Sequence, residues 1–229
     1  MGELWKVDLH CHTWYSRDSL MNPRDVVDRA VALGLNKVAI TEHNNLAGAR
    51  FLKQYAPDLF IVGEEIKTTQ GEFIAYFVSE EVPKGLTPEE TLARLHAQGA
   101  VISMPHPLDS WRRSALGETA TRQYIEQVDA VEVFNARCLV SDDNDGAKAL
   151  AKRFGKLMTA GSDAHTVDEI GNGYLLMPPF ADNAASFRDS LAQAQPVGRP
   201  SGLWVHFGST WAKWRNTKPR EGLEHEGAK

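Results

Sequence analysis

Cysteine is nearly missing from this chain. Cys11 and Cys138 are the two in 229 residues, and they lie far apart. That excludes a disulfide framework and a thiolate cluster for structural zinc, and it fits reduced thiols. Long apolar runs are missing too. Nothing approaches the ~20 residues a membrane helix needs, and no signal-peptide pattern opens the sequence. The expected compartment is the cytoplasm, with no membrane association and no obligate protein partner. Excess positive charge is also absent, since 25 Lys and Arg face 30 Asp and Glu for a net charge of −5. A strongly electrostatic nucleic-acid binder is thereby disfavoured, though a nucleotide or a local basic patch is not. There is no internal repeat and no Pro/Gly-rich linker. Hydrophobic residues make up 42%, ordinary for one globular domain of the size α/β barrels fill.

What is present is an alternation. Strand-like runs rich in Val and Ile fall at 4–10, 37–40, 60–62, 73–78, 100–103, 130–134 and 156–160. Helical patterns lie between them, among others at 23–33, 88–97, 122–127 and 145–154. Thr87-Pro88-Glu89-Glu90 is a helix start with Thr as cap, Pro at the first position and Glu at the third. Gly34, Gly99 and Gly155 sit where helices should stop. The alternation implies a largely parallel sheet. Seven strands in so short a stretch fit a closed or nearly closed barrel better than an open sheet, and the pattern alone leaves both open. One domain is expected over 1–202, with 178–202 as its C-terminal part. The polar extension 203–229 is expected to be partly disordered.

The chemistry gathers where strands end. The first strand finishes in His10-Cys11-His12. Alternation along a strand puts His10 and His12 on one face about 6–7 Å apart, within reach of one cation. Asp18 follows past a turn. Further strand ends carry Thr41-Glu42-His43-Asn44, Gly63-Glu64-Glu65, Met104-Pro105-His106-Pro107 and Gly161-Ser162-Asp163-Ala164-His165, and the fourth strand starts after Gly71-Glu72. Five of the eight histidines lie at these ends. In a parallel α/β barrel the carboxyl ends of the strands share the rim that carries the active site. Imidazole and carboxylate together suit Zn²⁺, Mn²⁺ or Fe²⁺. The ligand types outnumber what one ion needs, which points to two or three metals and to hydrolysis of a phosphate ester.

These motifs, in this order over about residues 6–175, resemble the polymerase and histidinol phosphatase (PHP) family, and within it the small stand-alone metal-dependent phosphoesterases. Glu132, Asn135, Ala136 and Arg137, then Gly171, Gly173 and Tyr174, are similar to the C-terminal part of those proteins. The resemblance implies a distorted seven-stranded (β/α) TIM-like barrel and a trinuclear metal site. It assigns one ion to His10, His12, Glu65 and Asp163, a second to the bridging Glu65 with His106, and a third to Asp18, His43 and His165. Glu65 matches the family's Gly-x-Glu-Ile pattern, so Glu64 should face away. Three features depart from the pattern. Glu42 replaces the family's Asp and is expected to orient His43. Arg17 intervenes between Ser16 and Asp18. Glu72 stands where many members place a His, and is expected to ligate the second ion.

The expected enzyme is a phosphoester hydrolase in which a hydroxide held between metals, with Glu65 bridging, attacks phosphorus. His43 and His165 are further catalytic candidates, since a rim His can protonate the leaving oxygen. Arg17, Arg113 and Arg137 are candidate phosphate ligands, as is Arg112, because a guanidinium offers a bidentate fork. The substrate class is a small phosphomonoester, a nucleotide or a short nucleic-acid end. The rivals are a metal-dependent hydrolase of C–N or C–O bonds, which a carbamylated or single bridging lysine at a strand end would favour and none is read, and a non-catalytic metal-stabilised binding module. His96 and His206 read as surface and packed residues. The Trp111, Trp204, Trp211 and Trp214 group reads first as core or interface.

Overall fold

The computed structural model describes residues 2–202. The extension 203–229, including His206, Trp204, Trp211 and Trp214, lies outside the described residues. Nine strands form one sheet: β1 (Trp5–Cys11), β2 (Lys37–His43), β3 (Phe60–Lys67), β4 (Glu72–Tyr76), β5 (Val101–Met104), β6 (Ala130–Asn135), β7 (Leu157–Gly161), β8 (Gly173–Met177) and β9 (Gln195–Gly198). Six α-helices intervene: α1 (Pro23–Leu33), α2 (Ala47–Tyr55), α3 (Pro88–Ala97), α4 (Gly117–Tyr124), α5 (Ser141–Arg153) and α6 (Ala184–Leu191). The helix signals act as expected. Asn22 caps α1 ahead of Pro23, Gly34 ends it with φ +65°, and Thr87 and Glu90 close a capping box on α3.

The sheet order is β7-β6-β5-β4-β3-β2-β1-β8-β9. The sheet is mixed, not largely parallel: β1, β2 and β3 pair parallel, as do β5, β6 and β7, while β4 runs antiparallel to both β3 and β5, and β8 antiparallel to β1 and β9. Reversal of β4 puts its first residue, Glu72, beside the last residue of β3, Lys67, on the same rim. The barrel closes where β1 meets β7. His12 N–H donates to Ala164 O at 2.9 Å, and Cys11 bridges Ala164 in parallel. Below that seam β1 turns to β8, pairing antiparallel from Trp5↔Met177 to Val7↔Leu175. The barrel is therefore nearly closed and nine-stranded, not seven-stranded. The two extra strands fill the seam, at the C-terminal end of the chain where no strand is legible in the sequence. Leu9, Ile61, Ile74, Val101 and Ala160 belong to the buried core, and the helices pack on its outside through buried Val26, Leu52, Leu95 and Leu150.

Candidate metal centre

The carboxyl-end rim gathers the expected residues into one buried cluster. His10 Nε2 lies 3.1 Å from His12 Nε2. Glu65 Oε2 is 3.5 and 3.4 Å from those two nitrogens, and Asp163 Oδ1 is likewise 3.5 and 3.4 Å away. Four donors around one ion with bonds of about 2.0–2.1 Å stand roughly 3.3–3.4 Å apart when tetrahedral, so this set has the right size. A second set joins His106 Nε2 to Glu65 Oε1 at 3.0 Å and to Glu72 Oε2 at 4.0 Å. In a third, Asp18 reaches His43 Nε2 at 3.2 Å through Oδ2 and His165 Nε2 at 3.4 Å through Oδ1. Glu65 touches both of the first two sets with separate oxygens, and its Oε2 also lies 3.0 Å from His43 Nδ1.

Whether these donors fit cations can be tested on the groups themselves. Glu65 Oε2, Asp163 Oδ1 and Glu72 Oε2 are buried and accept no hydrogen bond. Buried carboxylate oxygens without donors are costly, and a divalent ion is the partner they suit. Burial alone would raise the Glu65 carboxyl, but charge on His10 and His43 outweighs it and holds the group well below the usual carboxylate range. The same contest, won by His43 and His165, holds Asp18 low. Burial, with the neighbouring His43 and His165, pulls His12 down to about 3, so this imidazole is neutral and able to ligate. The backbone is bent to serve the cluster: His106 and Asp163 both sit at positive φ, +29° and +52°, conformations that side chains with a Cβ rarely adopt.

Around the cluster, hydrogen bonds fix ring orientation. His10 Nδ1–H donates to Glu132 Oε1 at 2.9 Å, which leaves Nε2 for a cation. Glu132 Oε2 accepts from His106 N–H at 2.8 Å and from Asn135 Nδ2 at 3.0 Å. His165 Nδ1 lies 2.8 Å from the Asp163 backbone carbonyl and also faces the Arg137 guanidinium, so the ring is held from that side. Glu132 is the residue that motif reading undervalued, although a lone carboxylate inside Ala130-Val131-Glu132-Val133 is itself a signal. Glu42 departs from expectation. No direct hydrogen bond joins it to the His43 ring; it reaches the His43 backbone N–H through Ser16 Oγ, which accepts from that N–H at 2.9 Å. Its carboxylate grips Thr13 and accepts from Ser16 Oγ at 2.5 Å, and Ser16 Oγ in turn faces His12 Nδ1 at 3.3 Å. The extra methylene carries the carboxylate past His43 to the loop after β1, into space kept open by Gly48, where a Cβ would stand 2.3 Å from Glu42 Oε1. Glu64 faces away as expected and accepts from Val82 N–H at 3.1 Å.

A pocket of about 620 Å³ opens over the cluster, with Asp18, His43, Glu72 and His165 on its floor side and Lys67, Arg112, Arg113 and Arg137 in its walls. Arg112 Nη2 donates to Asp163 Oδ2 at 2.6 Å. Arg137 is 4% exposed, beside His165 Nδ1 and 3.4 Å from Glu169 Oε1. Arg17 is exposed and outside the pocket lining. Lys67 ends β3, which runs on to residue 67, and its side chain is exposed, unlike the buried carboxylates beside it.

The model of the PHP domain matches residues 8–93, and that of the PHP-associated region matches 141–196. An uncharacterized protein of Methanocaldococcus jannaschii is 39% identical over 173 residues, 74% of this chain and 69% of that protein. Among solved structures, a two-domain protein of Bacteroides vulgatus containing a predicted PHP-like metal-dependent phosphoesterase superposes with a TM-score of 0.70 at 19% identity, covering 92% of this chain and 70% of that one. A lesion-specific endonuclease of Pyrococcus furiosus does so with a TM-score of 0.66 at 18% identity, covering 85% and 58%. The two crystal structures show the shared fold; the matched regions and the M. jannaschii relative carry the assignment. The chain belongs to the PHP family, and with it to the hydrolases acting on phosphate ester bonds.

Proposed function

We propose that the chain hydrolyses a small phosphomonoester or a nucleotide, using two or three divalent ions of Mn, Zn or Fe. His10, His12, Glu65 and Asp163 would hold one ion, Glu65, Glu72 and His106 a second, and Asp18, His43 and His165 a third. One observation carries the reading: a single buried carboxylate, Glu65, gives one oxygen to each of two adjoining ligand sets beneath a pocket walled by cations. Divalent ions there supply Lewis-acid polarisation of the phosphoryl oxygens and acidify water.

The chain's own residues do the rest. Glu132 and Ser16 hold the His10 and His12 rings, and Arg112 and Asn135 hold Asp163 through its Oδ2. Arg113 and Lys67 offer charge to the equatorial oxygens of the phosphate. With two ions bound, His43 and His165 can pass a proton to the leaving oxygen from Nε2; with three, both are ligands and the proton comes from solvent. The C–N or C–O hydrolase gains little from Lys67, whose side chain is exposed and adds to a phosphate-seeking wall.

The test is metal analysis of the purified chain, followed by a screen of sugar phosphates, nucleotides and short oligonucleotides with Mn²⁺. Release of phosphate is expected from at least one class. His10→Ala and Asp163→Ala should each lower bound metal and abolish turnover. Full activity with unchanged metal in either variant rejects the ligand assignment.

A further inference from the structure

Trp111 is a feature the catalytic reading leaves unused. Five large hydrophobic side chains are exposed among the described residues. Two of them line the pocket: Trp111, 75% exposed, and Leu139, 37% exposed. An indole held in water forgoes the burial that places most tryptophans inside, so its place at the mouth of a charged pocket calls for a ligand. Its backbone is pinned. Trp111 N–H donates to Asp109 Oδ1 at 3.0 Å, and Ser110 N–H and Oγ each reach Asp143 Oδ2, on α5, at 3.0 Å. The ring therefore rides on a fixed loop with two side-chain torsions as its freedom, a stiff aromatic anchor. Its neighbour Arg112 reaches Asp163, so the loop that carries the indole lies within one arginine side chain of the ligand cluster, and the indole lines the same pocket. That is the scale on which a nucleotide separates its phosphate from its base.

We infer that Trp111 is a stacking platform for the base of a nucleoside phosphate whose phosphate lies at the ligand cluster. This rests on the phosphoesterase reading and narrows its substrate class. A glycerol or sugar phosphate has no flat π face, and an exposed indole gains little from it. Every nucleobase has such a face, and stacking on it tolerates base identity. Leu139 adds an apolar edge, and Arg113 a charge for a further phosphate.

The experiment uses the Mn²⁺-loaded full chain and two probes differing by the base alone, the phosphonate analogues of AMP and of ribose 5-phosphate, whose P–C bonds block turnover. The adenosine probe should bind roughly 5- to 100-fold more tightly, the range that stacking one base supplies. Trp111→Ala should erase that preference and leave the ribose probe unchanged, while Trp111→Phe keeps most of it. A 5′-phosphonate trinucleotide identifies the source of the base: tighter binding than the mononucleotide means an oligonucleotide end, and equal binding means a free nucleotide. No preference in the parent chain, or a preference that survives Trp111→Ala, overturns the inference. So does a Trp111→Ala variant altered only in oligomeric state, which would mark a protein contact. Hydrolysis of glycerol 2-phosphate by the parent chain tests the phosphoesterase reading separately: turnover without base preference removes the platform alone, and base preference without turnover of any phosphate ester removes the phosphoesterase reading alone.

Discussion

Glu64 and Glu65 are neighbours in β3 with opposite surroundings. Glu65 meets four imidazoles, whereas Glu64 meets the Val82 N–H and leaves Oε1 without a hydrogen bond. Alternation along a strand says that the two point apart; it does not say which faces the rim, and the resemblance to Gly-x-Glu-Ile made that choice. Glu65→Gln should cost at least about 100-fold in activity together with bound metal, since it removes the one carboxylate charge the two sets share, while Glu64→Gln leaves both nearly unchanged. Stability supplies an independent check. Burial raises the Glu64 carboxyl to about 7 from 4.5. A raised acid favours the folded state while protonated, so its contribution is present below about 4.5 and is lost as pH rises to about 7. Glu64→Gln escapes that loss and should be the more stable protein at pH 8 by up to about 3 kcal/mol, but not at pH 4. Thermal unfolding across that range decides it. What the sequence hid at this scale were partners distant along the chain: nothing local to Glu42 announces Thr13 and Ser16, and nothing local to Glu132 announces His10.

Among the elements, those with a chemical signature at their ends were legible. Helices α1 and α3 lie at the expected residues because Asn22-Pro23, Gly34 and Thr87-Pro88 mark them. Helix α2 starts at Ala47 behind an apolar N-cap, Leu46, and the Ala47 N–H is taken up by Asn45 Oδ1 at 3.1 Å, one residue before the cap position, so the usual mark is displaced. Strand β9 contains Pro196 and Gly198, which argue against a strand in sequence, yet as the edge of the sheet it can hold both. The seam between β1 and β7 was equally hidden, although it decides where His10 stands. A Cβ on Gly161 would fall 2.3 Å from His10 Cβ and 2.8 Å from its backbone nitrogen. Backbone cannot yield as a flexible side chain does, so the seam must open. Gly161→Ala should lower stability by about 2 kcal/mol or more and weaken metal binding through displaced His10. Gly202→Ala, with nothing within 4 Å, is the control. Melting curves and metal content of the two variants are the measurement, and equal values for both would mean that the seam is looser than its geometry.

At the scale of the whole molecule, no helix among the described residues is long and apolar enough to cross a membrane, and the fold's distinctive investment is a buried set of carboxylates and imidazoles at one rim. Without ions that set is balanced by protons. Burial opposes charge on His10, but Asp163, Glu132 and Glu65 outweigh it and hold its pKa well above 6.5. Burial likewise opposes charge on His43, and Asp18 and Glu65 prevail there. Both imidazoles are thus protonated at pH 7 in the ion-free protein and must lose those protons to ligate. Titration with Mn²⁺ at pH 7, repeated in buffers of different ionisation enthalpy, should show release of about two protons per chain where three ions bind and about one where two do. No release would reject His10 and His43 as ligands. The stability of the ion-free protein follows the same sign. A histidine raised by folding stabilises fully below 6.5, and that contribution is lost as pH climbs through the folded value. Bound ions replace the lost protons as the counter-charge of Glu65, Asp163 and Asp18. The difference in melting temperature between the Mn²⁺-loaded and chelated protein should therefore widen steadily from pH 6.5 upward. A constant difference would mean that the ions bind where no imidazole has to give up a proton.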